Sequence, residues 1–253
     1  MRMAFVIGMA GSGKSLLTGS FVEWLRDQDQ DAVAVNLDPG AVSLPYEPDL
    51  DVRAYVTVEE VMEKYGLGPN GAMIAATDMV ATYVKELEAE LERLAPDLAV
   101  VDTPGQMEVF AFRPSGLFIV ENLTAWPKAI IYLFDACFSR EPASFVANIF
   151  LASAVYYRFF VPQLYTLTKC DLVGPADVKR MVEWSARPAS LLEALDTSLR
   201  GERRLVARDL VRAICHTGAS FPLIPVASTT CEGFLNLNMA LERLIAGGER
   251  YTF

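Results

Sequence analysis

Gly8-Met9-Ala10-Gly11-Ser12-Gly13-Lys14-Ser15 stands directly after the apolar run Met3–Ile7, and its residue types suit the grip of a triphosphate. Glycines let successive backbone N–H groups curl around a phosphate, and a helix opening there adds the positive end of its dipole. Lys14 is placed to reach the β- and γ-phosphates, and the Ser15 hydroxyl to ligate Mg2+. Gly11, Ser12, Gly13, Lys14, Ser15 and Leu16 are the expected nucleotide-contacting run. An ordinary Gly-rich turn has the same letters. What favours a phosphate loop is the strand before it and the amphipathic stretch Leu16–Leu25 after it.

Further along, Asp102 follows the apolar run Leu98–Val101, where a carboxylate can hold the shell of a bound Mg2+, usually through water. Gly105 permits close approach of its N–H to a γ-phosphate, and Gln106 is suited to orient an attacking water. A plain Asp-Thr-Pro-Gly turn is the competing reading, and the position behind a phosphate loop favours the functional one. Asp38, in Asn36-Leu37-Asp38-Pro39-Gly40, is the candidate for holding a metal-bound water or polarising the attacking one. Thr168-Lys169-Cys170-Asp171 bears on the base. Asp171 can accept from the N1–H and the N2 amine of guanine, a donor pair that adenine lacks. The Lys169 stem can cover base and ribose, and the segment Val226-Ala227-Ser228 fits a loop whose backbone amide meets the guanine O6. A lone Thr-Lys-x-Asp is weak; its place at the end of the run Gln163–Leu167 gives it weight. The ligands expected are GTP and GDP with Mg2+.

These groups need strands to carry them. Short apolar runs recur at Ala4–Gly8, Ala32–Leu37, Leu98–Val101, Ala129–Phe134, Gln163–Leu167 and Leu223–Ala227, with helical patterns between them. That alternation predicts an α/β fold of the P-loop NTPase kind: a mainly parallel sheet with helices on both faces and ligand chemistry at the carboxyl ends of the strands. The spacing of Val80, Tyr83, Val84, Leu87, Leu91 and Leu94 predicts one helix from about Thr77 to Leu94, with its glutamates as a solvated face. Thr57-Val58-Glu59-Glu60 reads as a capping box for a short helix ending near Tyr65. Residues 172–220 read as a helical insertion beside the nucleotide base, within a single domain spanning 1–253.

Composition narrows the class. The net charge of −10, with no basic cluster, disfavours nucleic acid and anionic membrane as partners. A hydrophobic fraction of 52% is high for a soluble monomer and hints at a buried subunit interface. The phosphate loop starts at residue 8, which leaves no room for a signal peptide, so a cytoplasmic location is expected. Ala143–Phe160 is the best membrane candidate, but Asn148, Ser144, Ser153 and Arg158 make a buried or interface helix the better reading. Cys137, Cys170, Cys215 and Cys231 are too scattered for zinc and read as reduced thiols. His216, the single histidine, reads as a helix-end side chain.

One more element narrows the family. Gly68-Pro69-Asn70 lies between the Asp38 and Asp102 motifs. With Asn36–Gly40, Leu44-Pro45-Tyr46-Glu47-Pro48, Asp51-Val52-Arg53 and Asp102–Glu108, the chain resembles the GPN-loop GTPases over nearly its whole length, in the manner of archaeal members. Taken alone, Gly-Pro-Asn-Gly is a good β-turn. The resemblance implies instead a homodimer in which Gly68, Pro69 and Asn70 of one subunit enter the active site of the other, Asn70 contacting the γ-phosphate or released phosphate. It further implies a macromolecular client, since eukaryotic members are associated with RNA polymerase assembly. Two departures stand out. Thr168 replaces the usual Asn, which braces the phosphate loop and base, so weaker nucleotide affinity is expected with guanine preference kept. Leu16 stands where a second Thr or Ser often follows Ser15. Met9 lacks the lysine of ATP-driven partition proteins, which argues against that relative.

Lys14, Asp38, Gln106 and Asn70 are thus the catalytic candidates, and Ser15, Asp38 and Asp102 the metal candidates. A P-loop phosphotransferase acting on a small molecule or polynucleotide end is the alternative; Arg200, Arg203, Arg204, Arg208 and Arg212 would then form a mobile lid rather than a solvated face. A third reading is a non-enzymatic assembly module in which nucleotide only sets shape.

Overall fold

The computed structural model describes residues 1–123, 127–216 and 221–246. Seven parallel strands form one sheet: β1 (Arg2–Gly8), β2 (Ala32–Asn36), β3 (Leu50–Asp51), β4 (Leu98–Asp102), β5 (Lys128–Asp135), β6 (Gln163–Thr168) and β7 (Leu223–Pro225). Their order is β3-β2-β4-β1-β5-β6-β7, which puts β1 between β4 and β5. The six apolar runs are six of these strands. β3 is not among them, because two residues give no alternation to detect.

The first described helices are α1 (Lys14–Asp27), α2 (Val58–Tyr65), α3 (Pro69–Val80), α4 (Val84–Leu94), α5 (Met107–Ala111) and α6 (Pro114–Asn122). After them come α7 (Ala136–Ser139), α8 (Pro142–Phe159), α9 (Pro175–Ala186), α10 (Pro188–Ser198), α11 (Gly201–His216) and α12 (Phe234–Ile245). β1 is apolar on both faces, as a parallel strand covered on both sides must be. Met3, Phe5 and Ile7 join a buried cluster with Tyr132 and Phe134 of β5, closed by α2–α6 and α8–α11. Ala4 and Val6 point the other way, into a smaller cluster closed by Leu17, Phe21 and Leu25 of α1 and Phe234, Leu237 and Leu241 of α12.

The capping box is present: Glu60 N donates to Thr57 Oγ1 at 3.2 Å, and Thr57 N to Glu60 Oε2 at 3.1 Å. The single helix expected over Thr77–Leu94 is corrected. It is α3 and α4 joined by a 3-10 turn at Ala81–Tyr83, and α3 begins already at Pro69. Gly68-Pro69-Asn70 is therefore a helix start and not a β-turn. Gly68 is the extended N-cap and Pro69 the first helical residue, where its fixed φ and missing N–H cost nothing. Val80, Val84, Leu87 and Leu91 nonetheless share the buried face that the spacing predicts.

Between β6 and β7 the chain runs through α9, α10 and α11; residues 217–220 of the helical stretch read from the sequence lie outside the described residues. His216 is exposed at the end of α11. α8 is a packed helix. It buries Phe145, Ile149, Ala152 and Val155, and its one buried amide is satisfied: Tyr132 Oη donates to Asn148 Oδ1 at 2.9 Å, and Asn148 Nδ2 to Ser139 Oγ at 3.1 Å. No described helix is long and apolar enough to cross a membrane.

Candidate functional site

The phosphate loop joins the end of β1 to α1. Gly11 and Gly13 hold φ of 75° and 91°, the left-handed region that a side chain would strain. Gly13 is the N-cap of α1, so the helix opens at Lys14 as the motif requires. Lys14 is buried, and its Nζ donates to the carbonyls of Gly8 (3.1 Å), Met9 (3.2 Å) and Gly105 (2.8 Å). Burial pulls its pKa below the usual lysine range, against the opposing charges of Asp102, Asp38 and Glu108. Leu16 lies on the exposed side of the first turn.

Sheet register brings the carboxylates to this loop. Asp102 closes β4 opposite Val6 of β1 and Asn36 of β2. Two residues past Asn36, Asp38 bridges two loops: its Oδ1 accepts from Gly40 N and its Oδ2 from Gly105 N, both at 2.9 Å. Asn36 shapes that turn, accepting from Asp38 N at 3.0 Å and donating to Asp51 Oδ1 at 2.9 Å. Gln106 is exposed at the N-cap of α5.

Asp102 is buried, with Tyr46 Oη donating to its Oδ2 at 3.2 Å and no hydrogen-bond partner on Oδ1. Burial pushes its carboxyl up to about 6, against the pull of the Ser15 hydroxyl and the Lys14 ammonium. A buried carboxylate oxygen without a donor is costly and suits a site that expects a cation. Among the described residues no cluster of three or more His, Cys, Asp or Glu side chains stands ready to hold a metal by itself. The Ser15 hydroxyl and Asp102 are an oxygen donor set fitting Mg2+.

On the other side of β1, β6 ends in the second set. Thr168 pairs with Asp135 of β5 in the sheet register. Its hydroxyl reaches the Ser12 carbonyl at 2.8 Å and the Phe134 carbonyl at 3.2 Å. Thr168 thus links β6 to the phosphate loop in spite of replacing Asn, though with one hydroxyl proton in place of two amide protons. Lys169 sits at φ 59°, a strained conformation for a side-chain residue, and its Nζ pairs with Asp135 Oδ2 at 2.7 Å. Asp171 is exposed, and Thr229 Oγ1 donates to its Oδ2 at 3.0 Å. In the segment Val226-Ala227-Ser228, the Ala227 N–H donates to the Glu232 carbonyl at 3.0 Å. Ser228 N makes no such bond to a described residue.

The structure therefore gathers Ser12, Gly13, Lys14, Ser15, Asp38, Asp102 and Gly105 at the carboxyl ends of β1, β2 and β4, with Thr168, Lys169, Asp171 and Ser228 beside them. Gly68, Pro69 and Asn70 are exposed at the start of α3 and outside this cluster. Three residues that the motifs did not single out as site residues belong to it: Tyr46, Asp135 and Thr229. For Asp135 a signal was available, a carboxylate closing a strand as Asp102 does. Tyr46 and Thr229 reach their partners from distant loops, and spacing carries no trace of that. Three of the arginines weighed as a lid pair instead within the helical stretch: Arg208 and Arg204 with Asp196, at 2.7 and 4.0 Å, and Arg212 with Asp209 at 3.4 Å.

A family model described as a conserved hypothetical ATP-binding protein matches residues 6–247. The chain is 34% identical over 248 residues to GPN-loop GTPase PAB0955 of Pyrococcus abyssi, covering 96% of this chain and 97% of that one. It is 36% identical over 182 residues to GPN-loop GTPase QQT2 of Arabidopsis thaliana, covering 71% of this chain and 47% of the relative. The chain thus spans about half the length of the plant relative, and likewise of GPN-loop GTPase 1 from Schizosaccharomyces pombe, of which it covers 46%. The crystal structure of PAB0955, a GTPase in apo form, matches with a TM-score of 0.86 and 30% sequence identity, covering 97% of this chain and 98% of that one.

Proposed function

Since the chain belongs to the GPN-loop GTPase family, we propose that it binds GTP with Mg2+ and hydrolyses it to GDP and phosphate. The observation that carries the reading is the meeting of three loops: Lys14 Nζ on Gly105 O at 2.8 Å and Gly105 N on Asp38 Oδ2 at 2.9 Å. It supports the reading because Lys14, Gly105 and Asp38, from three separate loops, share one hydrogen-bonded chain.

Phosphoryl transfer is mostly placement and charge stabilisation. Lys14 neutralises charge on the β- and γ-oxygens. Asp38 and Gln106 position the attacking water, and Gly105 N turns from Asp38 to the γ-phosphate. Ser15, Asp102 and Asp38 are the residues that would hold a bound Mg2+, which would offset charge on the phosphate oxygens. No cysteine or histidine nucleophile is required, so hydrolysis proceeds without a covalent enzyme intermediate. The description of the matching family model says ATP, whereas the relatives' names say GTPase; Asp171 favours guanine, since its carboxylate can accept from both N1–H and N2. Arginines paired inside α10 and α11 favour hydrolysis over the phosphotransferase reading.

The fuller reading is a cytoplasmic homodimer in which Asn70 of each subunit completes the partner's site, the nucleotide cycle controlling a macromolecular client. Exposed Gly68, Pro69 and Asn70 support it, since they are available to another chain. Calorimetric titration with GTP and ATP, followed by phosphate release from GTP with Mg2+ and no acceptor, tests the enzymatic core. Equal affinity for the two nucleotides, or release only when an acceptor is supplied, overturns it.

A further inference from the structure

Tyr46 lies on the long loop between β2 and β3, the loop that also carries Asp38. Its hydroxyl reaches across to Asp102 Oδ2 at 3.2 Å. The ring is seated tightly on α1: a Cβ built on Gly19 would stand 2.5 Å from Tyr46 Cβ and 3.0 Å from two of its ring carbons. Glycine inside a helix costs roughly 1 kcal/mol relative to alanine. Close approach of the tyrosine explains the choice, for any larger residue would push the ring off the helix. The loop around it is braced as well, with Arg53 Nη1 donating to Ala41 O at 2.8 Å and Asp49 Oδ2 accepting from Ala34 N at 2.7 Å.

A carboxylate plane turns easily about its last bond, whose torsion is broad and two-fold. With Oδ2 tied to Tyr46, the plane of Asp102 is fixed and Oδ1, buried and without a donor, is the oxygen left to act. Mg2+ demands near-ideal octahedral geometry, so the orientation of an oxygen that accepts from its waters matters. Partners of this kind set the orientation of a metal site's acceptors.

We propose that Tyr46 is a positioning residue for the metal shell: seated on Gly19, it locks the Asp102 carboxylate so that Oδ1 faces the nucleotide-bound cation. This rests on the Mg2+-dependent nucleotide site proposed above. Tyr46 also ties the loop that carries Asp38 to the end of β4.

The test measures GDP affinity by calorimetry in EDTA and across a Mg2+ titration, for wild type, Tyr46→Phe, Gly19→Ala and the double variant. Tyr46→Phe keeps the ring on Gly19 and removes only the donor. It should bind GDP in EDTA as wild type does, while its Mg2+ half-saturation point weakens roughly tenfold, the lower end of the loss on removing an outer partner of a metal site. Gly19→Ala should give the same loss by displacing the ring, and the double variant no further loss, since both act on one contact. A wild type with clear Mg2+ dependence and a Tyr46→Phe that matches it overturns the role of Tyr46, as does a variant that loses only thermal stability. A wild type that binds no guanine nucleotide overturns the functional reading itself, and this inference with it.

Discussion

Asp38 Oδ2 accepts the Gly105 N–H at 2.9 Å, so the loop after β2 is fastened to the loop after β4 at the amide assigned to the γ-phosphate. In the proposed reaction the γ-phosphate and the Asp38 carboxylate compete for this one donor. Binding GTP must then free Asp38 from Gly105, and binding GDP need not.

Removing that carboxylate separates chemistry from binding. Asp38→Ala should slow GTP turnover by about 100-fold or more, the scale of a lost group that positions or activates water. GDP affinity measured in EDTA, without Mg2+, should change little, because the Asp38 carboxylate bonds to Gly40 N and Gly105 N and not to the phosphate loop. Single-turnover hydrolysis and GDP titration check the two halves independently.

The link from Thr168 to Ser12 should be felt in both stability and affinity. Thr168→Val keeps the shape but leaves buried carbonyls of Ser12 and Phe134 without this donor. Stability in urea should fall by about 1–2 kcal/mol, with weaker GDP binding, while Thr168→Ser should restore most of both. A Val variant that binds GDP like wild type would detach the bracing from nucleotide binding.

At the base, Asp171→Asn should lower guanine affinity by about 2–4 kcal/mol, the loss of a charge-assisted acceptor pair. The same variant should gain affinity for xanthine nucleotides, whose C2 oxygen replaces the amine. Competition between GDP and XDP reads the exchange directly.

Completion of the site by a partner subunit predicts complementation. Lys14→Ala and Asn70→Ala should each be inactive alone. In a mixed dimer the site with intact Lys14 receives Asn70 from the Lys14→Ala subunit and is whole. Mixing should restore activity to up to about half of wild type per mixed dimer, one site in two. If the subunits demonstrably exchange and no activity returns, Asn70 does not act across the interface.

Acid should loosen the packing of α3 on α6. Hydrogen bonds from Arg113, joined by Ser115, hold the Asp78 carboxyl below the usual range. A depressed carboxyl adds stability that is present above its unfolded pKa, about 4, and lost as the pH falls through the folded value. The side chains are 36% and 37% exposed, so the contribution is screened to about 1 kcal/mol or less. Asp78→Asn should flatten that part of the stability profile between neutral and acid pH in denaturant titrations.

The sequence by itself determined the parts that are local. A phosphate loop is one continuous segment, so Gly11, Gly13 and Lys14 were legible from spacing, and the double-sided apolar strands named the sheet. The capping box at Thr57–Glu60 was legible for the same reason. Only the tertiary structure decided which groups meet. That Gly68 and Pro69 start a helix, that the Ala227 amide is taken by Glu232, and that Asp38 holds Gly105 all depend on pairings between segments far apart in the chain. Tyr46 shows the limit most plainly. Its role depends on a glycine on α1 and a carboxylate on β4 that share no periodicity with it, and only packing brings the three together.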